Sequence, residues 1–172
     1  MSKSIYIYGF HSIEAQLNSN PECILNVFFQ SGRSDIRISK ITSILINQKI
    51  SFSKINKNRL DQLTKCELHQ GIVAEVILPQ LQGHEALIEF VTKLSSNPLI
   101  LMLDSIQDPR NLGACLRCAN AAGVDCVVVN KDGSAPINAV VHKTSSGAIN
   151  QLQIFQVTNL VRTIKALKDK KL

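Results

Sequence analysis

The sequence predicts an α/β protein of two domains, the second of which contains a parallel sheet. Strand-like and helix-like stretches alternate along the chain, which is the pattern of α/β folds. Residues 99–103 are apolar on both faces, as a buried strand of a parallel sheet is, and residues 124–129 predict a second buried strand. A mostly polar segment separates the two halves. The predicted organisation is a domain of residues 1–78, a linker of residues 79–97 with a short helix, and a domain of residues 98–172.

The first domain should contain four strands and three helices. Short runs rich in β-branched and aromatic residues predict strands at residues 5–8, 24–29, 50–55 and 71–78. Apolar residues at helical spacing predict helices at residues 11–17, 36–47 and 57–63.

The second domain repeats a strand-helix-strand pattern, which implies parallel strands joined by helical crossovers. Strands are expected at residues 99–103, 124–129 and 153–157, and helices at residues 109–122, 137–145 and 159–168. Asp108 should cap the first of these helices, with Pro109 as its first residue, and Gly123 should end it in the left-handed conformation. Thr158 is the predicted cap of the last helix. Three strands make a small sheet, so we expect further chain or a partner to complete it.

Composition bounds the possible functions. Lys and Arg number 19 against 13 Asp and Glu, and the net charge of +6 favours a polyanionic partner. Five cysteines without framework spacing indicate reduced thiols and a cytoplasmic protein. No uncharged apolar run is long enough to span a membrane. Cys115 and Cys118 lie within one predicted helix and have no second pair at ligand spacing, so we predict core packing for them rather than metal binding.

The loop after the first buried strand carries the best candidate site. Ligands of parallel sheets collect at the carboxyl ends of the strands, and this loop lacks the Gly-x-Gly-x-x-Gly spacing of nicotinamide and flavin sites. Gly113 and Arg117 share a helical face with Arg110, so we expect Arg117 to fold back over Gly113 toward Asn111. Such a cationic fork suits a phosphate or a ribose edge. The alternative is a helix surface whose polar residues are merely solvated.

The residues of this loop and helix resemble a known family. The string Asp108-Pro109-Arg110-Asn111-Leu112-Gly113-Ala114-Cys115-Leu116-Arg117 is similar to the Asn-x-Gly-x-x-x-Arg motif of the SpoU (TrmH-like) RNA 2′-O-ribose methyltransferases. The similarity continues through these stretches: Ala121-Ala122-Gly123-Val124, Ser146-Gly147-Ala148 and Val157-Thr158-Asn159-Leu160. Tyr8-Gly9-x-His11 and His69-Gln70-Gly71-Ile72 resemble the substrate-binding domain of the same family.

The resemblance implies a function and a fold for each domain. It implies an L30e-like RNA-binding domain followed by a Rossmann-like domain of the SPOUT type, which methylates RNA with S-adenosyl-L-methionine as donor. The implied substrate is ribosomal RNA, in particular a guanosine ribose of 23S rRNA, with tRNA as the alternative. Family members form homodimers and carry a C-terminal knot that binds the donor, so the donor site is expected beyond Leu172. The competing hypothesis is a non-catalytic RNA-binding module.

The resemblance also assigns roles to individual residues. Asn111 and Arg117 are implied to be catalytic, and RNA contacts are implied for Arg110, His11, His69, Gln70 and Lys143. From the residues alone, His69 and Gln70 could equally be ordinary turn residues and His11 an ordinary helix-start residue, and His142-Lys143 could simply face water. A guanidinium keeps its proton in almost any protein environment, so Arg117 is a poor general base. Stabilisation of the developing alkoxide, or binding of the adjacent phosphate, is the easier role to defend.

Overall fold

The computed structural model describes residues 4–65, 68–78 and 81–170, which fall into two units, Met1–Pro79 (unit 1) and Gln80–Leu172 (unit 2). Pro79 and Gln80, predicted to begin the linker, lie outside the described residues, as does Lys171 near the predicted end of the last helix. The elements of unit 1 are β1 (Ser4–Tyr8), α1 (Phe10–Ser19), β2 (Ile24–Gln30), α2 (Ile36–Asn47), β3 (Phe52–Ile55), α3 (Lys57–Thr64) and β4 (Ile72–Ile77).

Unit 1 is built on a mixed sheet with strand order β1-β4-β2-β3. β4 is antiparallel to both of its neighbours, and β2 is parallel to β3. Side chains alternate between the two faces of each strand. One face joins α1 and α2 in a core that includes Ile7, Ile13, Phe29 and Ile41, all almost fully buried. Asp35 fixes the start of α2, because its carboxylate accepts hydrogen bonds from the backbone N–H groups of Arg37 and Ile38.

Unit 2 contains α4 (His84–Thr92), β5 (Ile100–Leu103), α5 (Pro109–Ala121), β6 (Cys126–Asn130), α6 (Ala139–Thr144), β7 (Gln153–Val157) and α7 (Leu160–Asp169). Its strands form a parallel sheet of order β5-β6-β7, as the sequence predicts. One face packs on α5 and α6 through residues such as Leu116 and Val141. The other packs on α4 and α7. The helix of the predicted linker is therefore built into the core of unit 2, where Phe90 lies against Phe155.

The predicted C-terminal end of α5 is confirmed, whereas the predicted N-cap of α7 is not. α5 ends in a Schellman motif: Gly123 has a φ of +69°, its N–H donates to Asn120 O, and Val124 N–H donates to Ala119 O. The prediction that Thr158 caps α7 is wrong. The cap is Asn159, whose side chain accepts from Arg162 N–H at 2.9 Å. Asn is the stronger cap, because its side-chain carbonyl more often reaches the free N–H groups of the first turn.

None of the helices in the described part of the chain is long and apolar enough to cross a membrane.

Candidate functional site

The candidate site lies at the carboxyl edge of the unit 2 sheet, where the loop after β5 is joined to the loop after β6. Asp104 Oδ1 accepts hydrogen bonds from Ser105 Oγ at 2.9 Å and from Asn130 Nδ2 at 3.1 Å. Ala135 N–H donates to Ile106 O at 2.7 Å. Ser105 has a φ of +54°, so the chain turns sharply as it leaves the strand. These bonds give the segment before α5 a defined path.

The start of α5 is fixed by the two residues that the sequence predicts. Asp108 is the N-cap and its carboxylate accepts from Arg110 N–H at 2.8 Å, while Pro109 occupies the first helical position. The free N–H groups of this first turn point toward the carboxyl edge of the sheet and carry partial positive charge. Asn111 and Arg110 are therefore exposed at the positive end of a helix, a setting that favours an anionic ligand.

Arg110 and Arg117 share one side of α5. They are seven residues apart, which is about two helical turns, and both are exposed. Asn111 is exposed too, but it lies roughly a third of a turn round the helix from Arg117. Within residues 4–65, 68–78 and 81–170 the Arg117 guanidinium makes no hydrogen bond or ion pair, so its donors face outward. The structure thus groups two of the predicted cations and sets the predicted amide beside them.

Gly113 does not serve as the open surface beneath Arg117 that the helical spacing predicts. It is buried, and a Cβ built there would overlap Thr144 Oγ1 and lie 2.8 Å from Thr144 Cβ and 3.1 Å from Ser145 N. The glycine is required because α6 crosses α5 at this point. The apolar side of α5 is made of Leu112, Leu116 and Ala119, which are buried in the core of unit 2.

The helix that crosses at Gly113 carries Lys143. Asn138 caps the start of α6, because its side chain accepts hydrogen bonds from Val140 and Val141 N–H, and Lys143 in the last turn of α6 is half-buried. The neighbouring His142 is 3% exposed and does not face water. Burial lowers the pKa of His142 to about 4, so this imidazole is neutral near pH 7 and contributes no charge to the surface.

In unit 1, two of the three residues predicted to contact RNA, His69 and Gln70, make hydrogen bonds within the fold. His69 is 5% exposed, its Nδ1 accepts from Gly71 N–H at 3.0 Å, and its Nε2 lies 2.9 Å from Asp61 Oδ1. Since Nδ1 accepts, Nε2 carries the hydrogen and donates it to the carboxylate. Gln70 is exposed but engaged, with its Oε1 accepting from Phe10 N–H at 3.2 Å. His11 is exposed in the first turn of α1.

Sequence reasoning missed Arg33 and Arg37, which flank the cap of α2 and whose guanidiniums both lie over the Phe10 ring. The sequence signal was present but weak: two arginines on either side of a helix cap, after a Ser-Gly turn. Their link to Phe10 depends on contacts between residues more than twenty positions apart, which spacing cannot reveal.

The cysteine prediction is partly corrected. Cys115 packs half-buried against the α5 side of the sheet, but Cys118 is exposed and is not a core residue. In the part of the chain that the structure describes, no three His, Cys, Asp or Glu residues are grouped so as to hold a metal ion.

A groove of about 530 Å³ lies between the N-terminal ends of α4 and α7. His84 Nδ1 and Thr163 Oγ1 are 3.1 Å apart on its wall, and Arg162 also lines it. Its lining combines two helix N-termini and one guanidinium, Arg162, with one carboxylate, Glu85.

Comparison with known proteins identifies the family. A family model described as the SpoU rRNA Methylase family matches residues 98–172, and one described as RNA 2'-O ribose methyltransferase substrate binding matches residues 6–82. The 23S rRNA (guanosine-2'-O-)-methyltransferase RlmB of Pseudomonas aeruginosa is 39% identical over 170 residues, which are 99% of this chain and 68% of that protein. The chain belongs to the SpoU family of rRNA methylases.

Other SpoU relatives agree in sequence and in fold. The RlmB protein of Haemophilus ducreyi is 43% identical over 164 residues, which span 95% of this chain but 66% of the relative. The SpoU methyltransferase AviRb from Streptomyces viridochromogenes, solved with AdoMet, superposes with a TM-score of 0.72 at 15% identity, covering 98% of this chain and 59% of that one. An AdoMet-bound rRNA methyltransferase from Sinorhizobium meliloti gives 0.70 at 17% identity, over 95% and 58%. At such low identity the structural matches establish the fold alone.

Proposed function

We propose that this SpoU chain takes part in the 2′-O-methylation of a guanosine ribose in 23S rRNA, with unit 1 binding RNA and α5 supplying Asn111 and Arg117 to the reacting ribose. The observation that carries the proposal is the exposed side of α5, in a chain 43% identical to an RlmB protein: Arg110 lies in the first turn, at the carboxyl edge of a parallel sheet, and Arg117 lies about two turns further along the same side. With rRNA as the proposed substrate, we expect a cytoplasmic protein that forms a homodimer.

Arg117 is proposed to stabilise negative charge rather than to remove the proton. Its guanidinium presents fixed N–H donors to the ribose oxygen that becomes an alkoxide, or to the phosphate next to it. Arg110, two turns away on the same side, adds a second cation for the RNA backbone. The amide of Asn111 can both donate and accept a hydrogen bond, which suits it to orient the ribose hydroxyls.

S-adenosyl-L-methionine is the proposed methyl donor, and it would supply an electrophilic methyl group on a sulfonium. The groove between α4 and α7 combines a guanidinium, Arg162, with a carboxylate, Glu85, and its described lining shows no feature that singles out a sulfonium. We therefore assign the donor to none of the described residues.

Arginine substitution in a chimera tests the proposal. The chain replaces the matching residues of the Haemophilus ducreyi RlmB protein, and transfer of tritiated methyl groups to an unmodified 23S rRNA transcript is measured. Arg117→Ala should lower the rate at least about 100-fold, as loss of a donor to a developing oxyanion does, with unchanged thermal unfolding. Lys165→Ala, which removes an exposed cation from α7, is the matched control and should retain the activity.

Two outcomes would count against this assignment. Equal rates for the Arg117 and Lys165 variants would remove Arg117 from the mechanism. A chimera that binds the transcript but transfers no methyl group with all its residues intact would favour the RNA-binding module.

A further inference from the structure

Two arginines of unit 1 share one aromatic ring at the edge of the sheet. The Cζ atoms of Arg33 and Arg37 lie 5.7 Å and 5.6 Å from the centroid of the Phe10 ring, within the range of cation–π attraction. Phe10 itself is 2% exposed, so the ring forms a buried floor under the guanidiniums and is closed to a nucleobase. Attraction to one ring holds two like charges close together, an arrangement that water alone would disfavour.

Arg33 is held in place by groups on three segments. Its Nη1 donates to Gln70 O at 2.5 Å, and its Nε donates to Asp35 Oδ2 at 3.1 Å. A Cβ on Gly71 would lie 2.8 Å from Arg33 Nη1, so this glycine provides the space that the guanidinium occupies. A guanidinium has five N–H donors, and these two bonds leave the others for a ligand. Its geometry is thus set before any ligand arrives, which lowers the entropy cost of binding.

Arg37 differs from Arg33 because its side chain makes no hydrogen bond or ion pair with any of the described residues, and it is exposed. The nearest acid in sequence, Asp35, does not neutralise it. The carboxylate of Asp35 accepts from Ile38 N–H, Arg37 N–H and Arg33 Nε, and these bonds lower its pKa. The Asp35 carboxylate is thus occupied by the N-terminus of α2 and by Arg33. The donors of Arg37 stay available while its Cζ lies over the Phe10 ring.

We propose that Arg33 and Arg37 form a guanidinium pair that binds neighbouring phosphates of an RNA strand. Planar guanidiniums match phosphate oxygens two at a time, and Arg33 offers a fixed fork while Arg37 offers a free one. The chemistry points to the RNA backbone rather than to a base, because the aromatic surface is covered. This inference rests on the proposed function, and it adds residues that the family motifs do not include.

Gln70 acts on this pair as a positioning residue. Its backbone has a φ of +57°, which turns its carbonyl toward Arg33, while its side-chain oxygen accepts from Phe10 N–H. Gln70 thus contacts both Phe10, the ring beneath the pair, and Arg33. Although the family resemblance implies that Gln70 contacts RNA, it would act here by holding Arg33 in position.

Binding of an unmodified 23S rRNA transcript to the full chain, over a series of KCl concentrations, tests the pair. Arg37→Gln should weaken binding about 5- to 10-fold and reduce the slope of log K against log salt by about 0.7–0.9, the value of one phosphate contact. Arg33→Gln with Arg37→Gln should reduce the slope by about twice that. Lys49→Gln is the matched control: it removes one exposed charge beyond the far end of α2, roughly 18 Å along the helix axis from Arg37, and should leave both quantities unchanged.

Arg37→Lys separates geometry from charge. A lysine ammonium still releases counterions from the RNA, but it lacks the planar fork of donors that a guanidinium offers. The affinity for RNA should therefore fall, while the slope of log K against log salt stays unchanged. Should Arg33→Gln unfold unit 1, the single Arg37 variants carry the test, because that side chain holds no described part of the fold. Binding of Arg37→Gln equal to that of Lys49→Gln would overturn the pair and leave the proposed function standing. Failure of the unsubstituted chain to bind the transcript would overturn both.

Discussion

Replacement of Gly113 by Ala is the sharpest test of how the structure explains the Asn-x-Gly-x-x-x-Arg motif. The added methyl group would overlap Thr144 Oγ1 and lie 2.8 Å from Thr144 Cβ. Rotation of the Thr144 side chain can move the hydroxyl, at the cost of its 2.8 Å hydrogen bond to Val140 O, but it cannot move Cβ. α5 and α6 must therefore separate, or the backbone of one must shift.

Three terms set the expected size of the effect. Forcing an extra carbon into a packed interface costs about 1–3 kcal/mol. Loss of the Thr144 hydroxyl bond costs about 1 kcal/mol. Replacing glycine by alanine within a helix raises the free energy of unfolding by about 1 kcal/mol, which offsets part of these losses. We therefore expect Gly113→Ala to lower the free energy of unfolding of unit 2 by about 1–3 kcal/mol. At an open helix surface the same change would raise it.

Urea unfolding can measure this effect with an internal reference. The chain has two tyrosines and no tryptophan, and Tyr6 and Tyr8 both lie in β1 of unit 1. Tyrosine fluorescence therefore follows unit 1 and should not change, whereas far-UV circular dichroism should show an earlier transition for unit 2. Thr144→Gly removes the obstructing atoms, so Gly113→Ala should cost less in that background, by about 1–2 kcal/mol. A stable Gly113→Ala variant would refute the packing argument and return the glycine to the role of open surface under Arg117.

Local signals in the sequence were enough to predict most of the fold. The predicted bounds of α2 and β7 coincide with those in the structure, Ile36–Asn47 and Gln153–Val157. Both have strong end signals or a clear apolar pattern, which can be read from the local sequence. The same holds for Asp108 and Gly123 at the two ends of α5, because caps act within one turn of the helix.

The site was harder to predict because its geometry is set by tertiary contacts. Spacing along α5 placed Arg110 and Arg117 correctly on one side, but it could not show that α6 crosses at Gly113. Similarly, histidine is a residue type that often binds ligands, so the sequence favours a binding role for His69. Only the fold reveals that Asp61 and Gly71 engage both of its ring nitrogens. A sequence pattern gives the side of a helix on which a residue lies, but not the neighbour that covers it.

Two further substitutions test the buried histidines. His69→Ala leaves the Asp61 carboxylate and the Gly71 N–H without their partner, so the free energy of unfolding of unit 1, followed by tyrosine fluorescence, should fall by about 2 kcal/mol. Reduced rRNA affinity at unchanged stability would instead make His69 a direct RNA contact. His142 concerns the pH dependence of unit 2. Because burial lowers its pKa from 6.5 to about 4, the unfolded chain binds the proton more tightly than the folded one. Stability should therefore be complete above pH 6.5 and fall as the pH drops toward 4, by about 3 kcal/mol at most. Urea unfolding by circular dichroism across this interval should show the loss, and His142→Gln should flatten it. An equally steep loss in the variant would place the titrating group elsewhere.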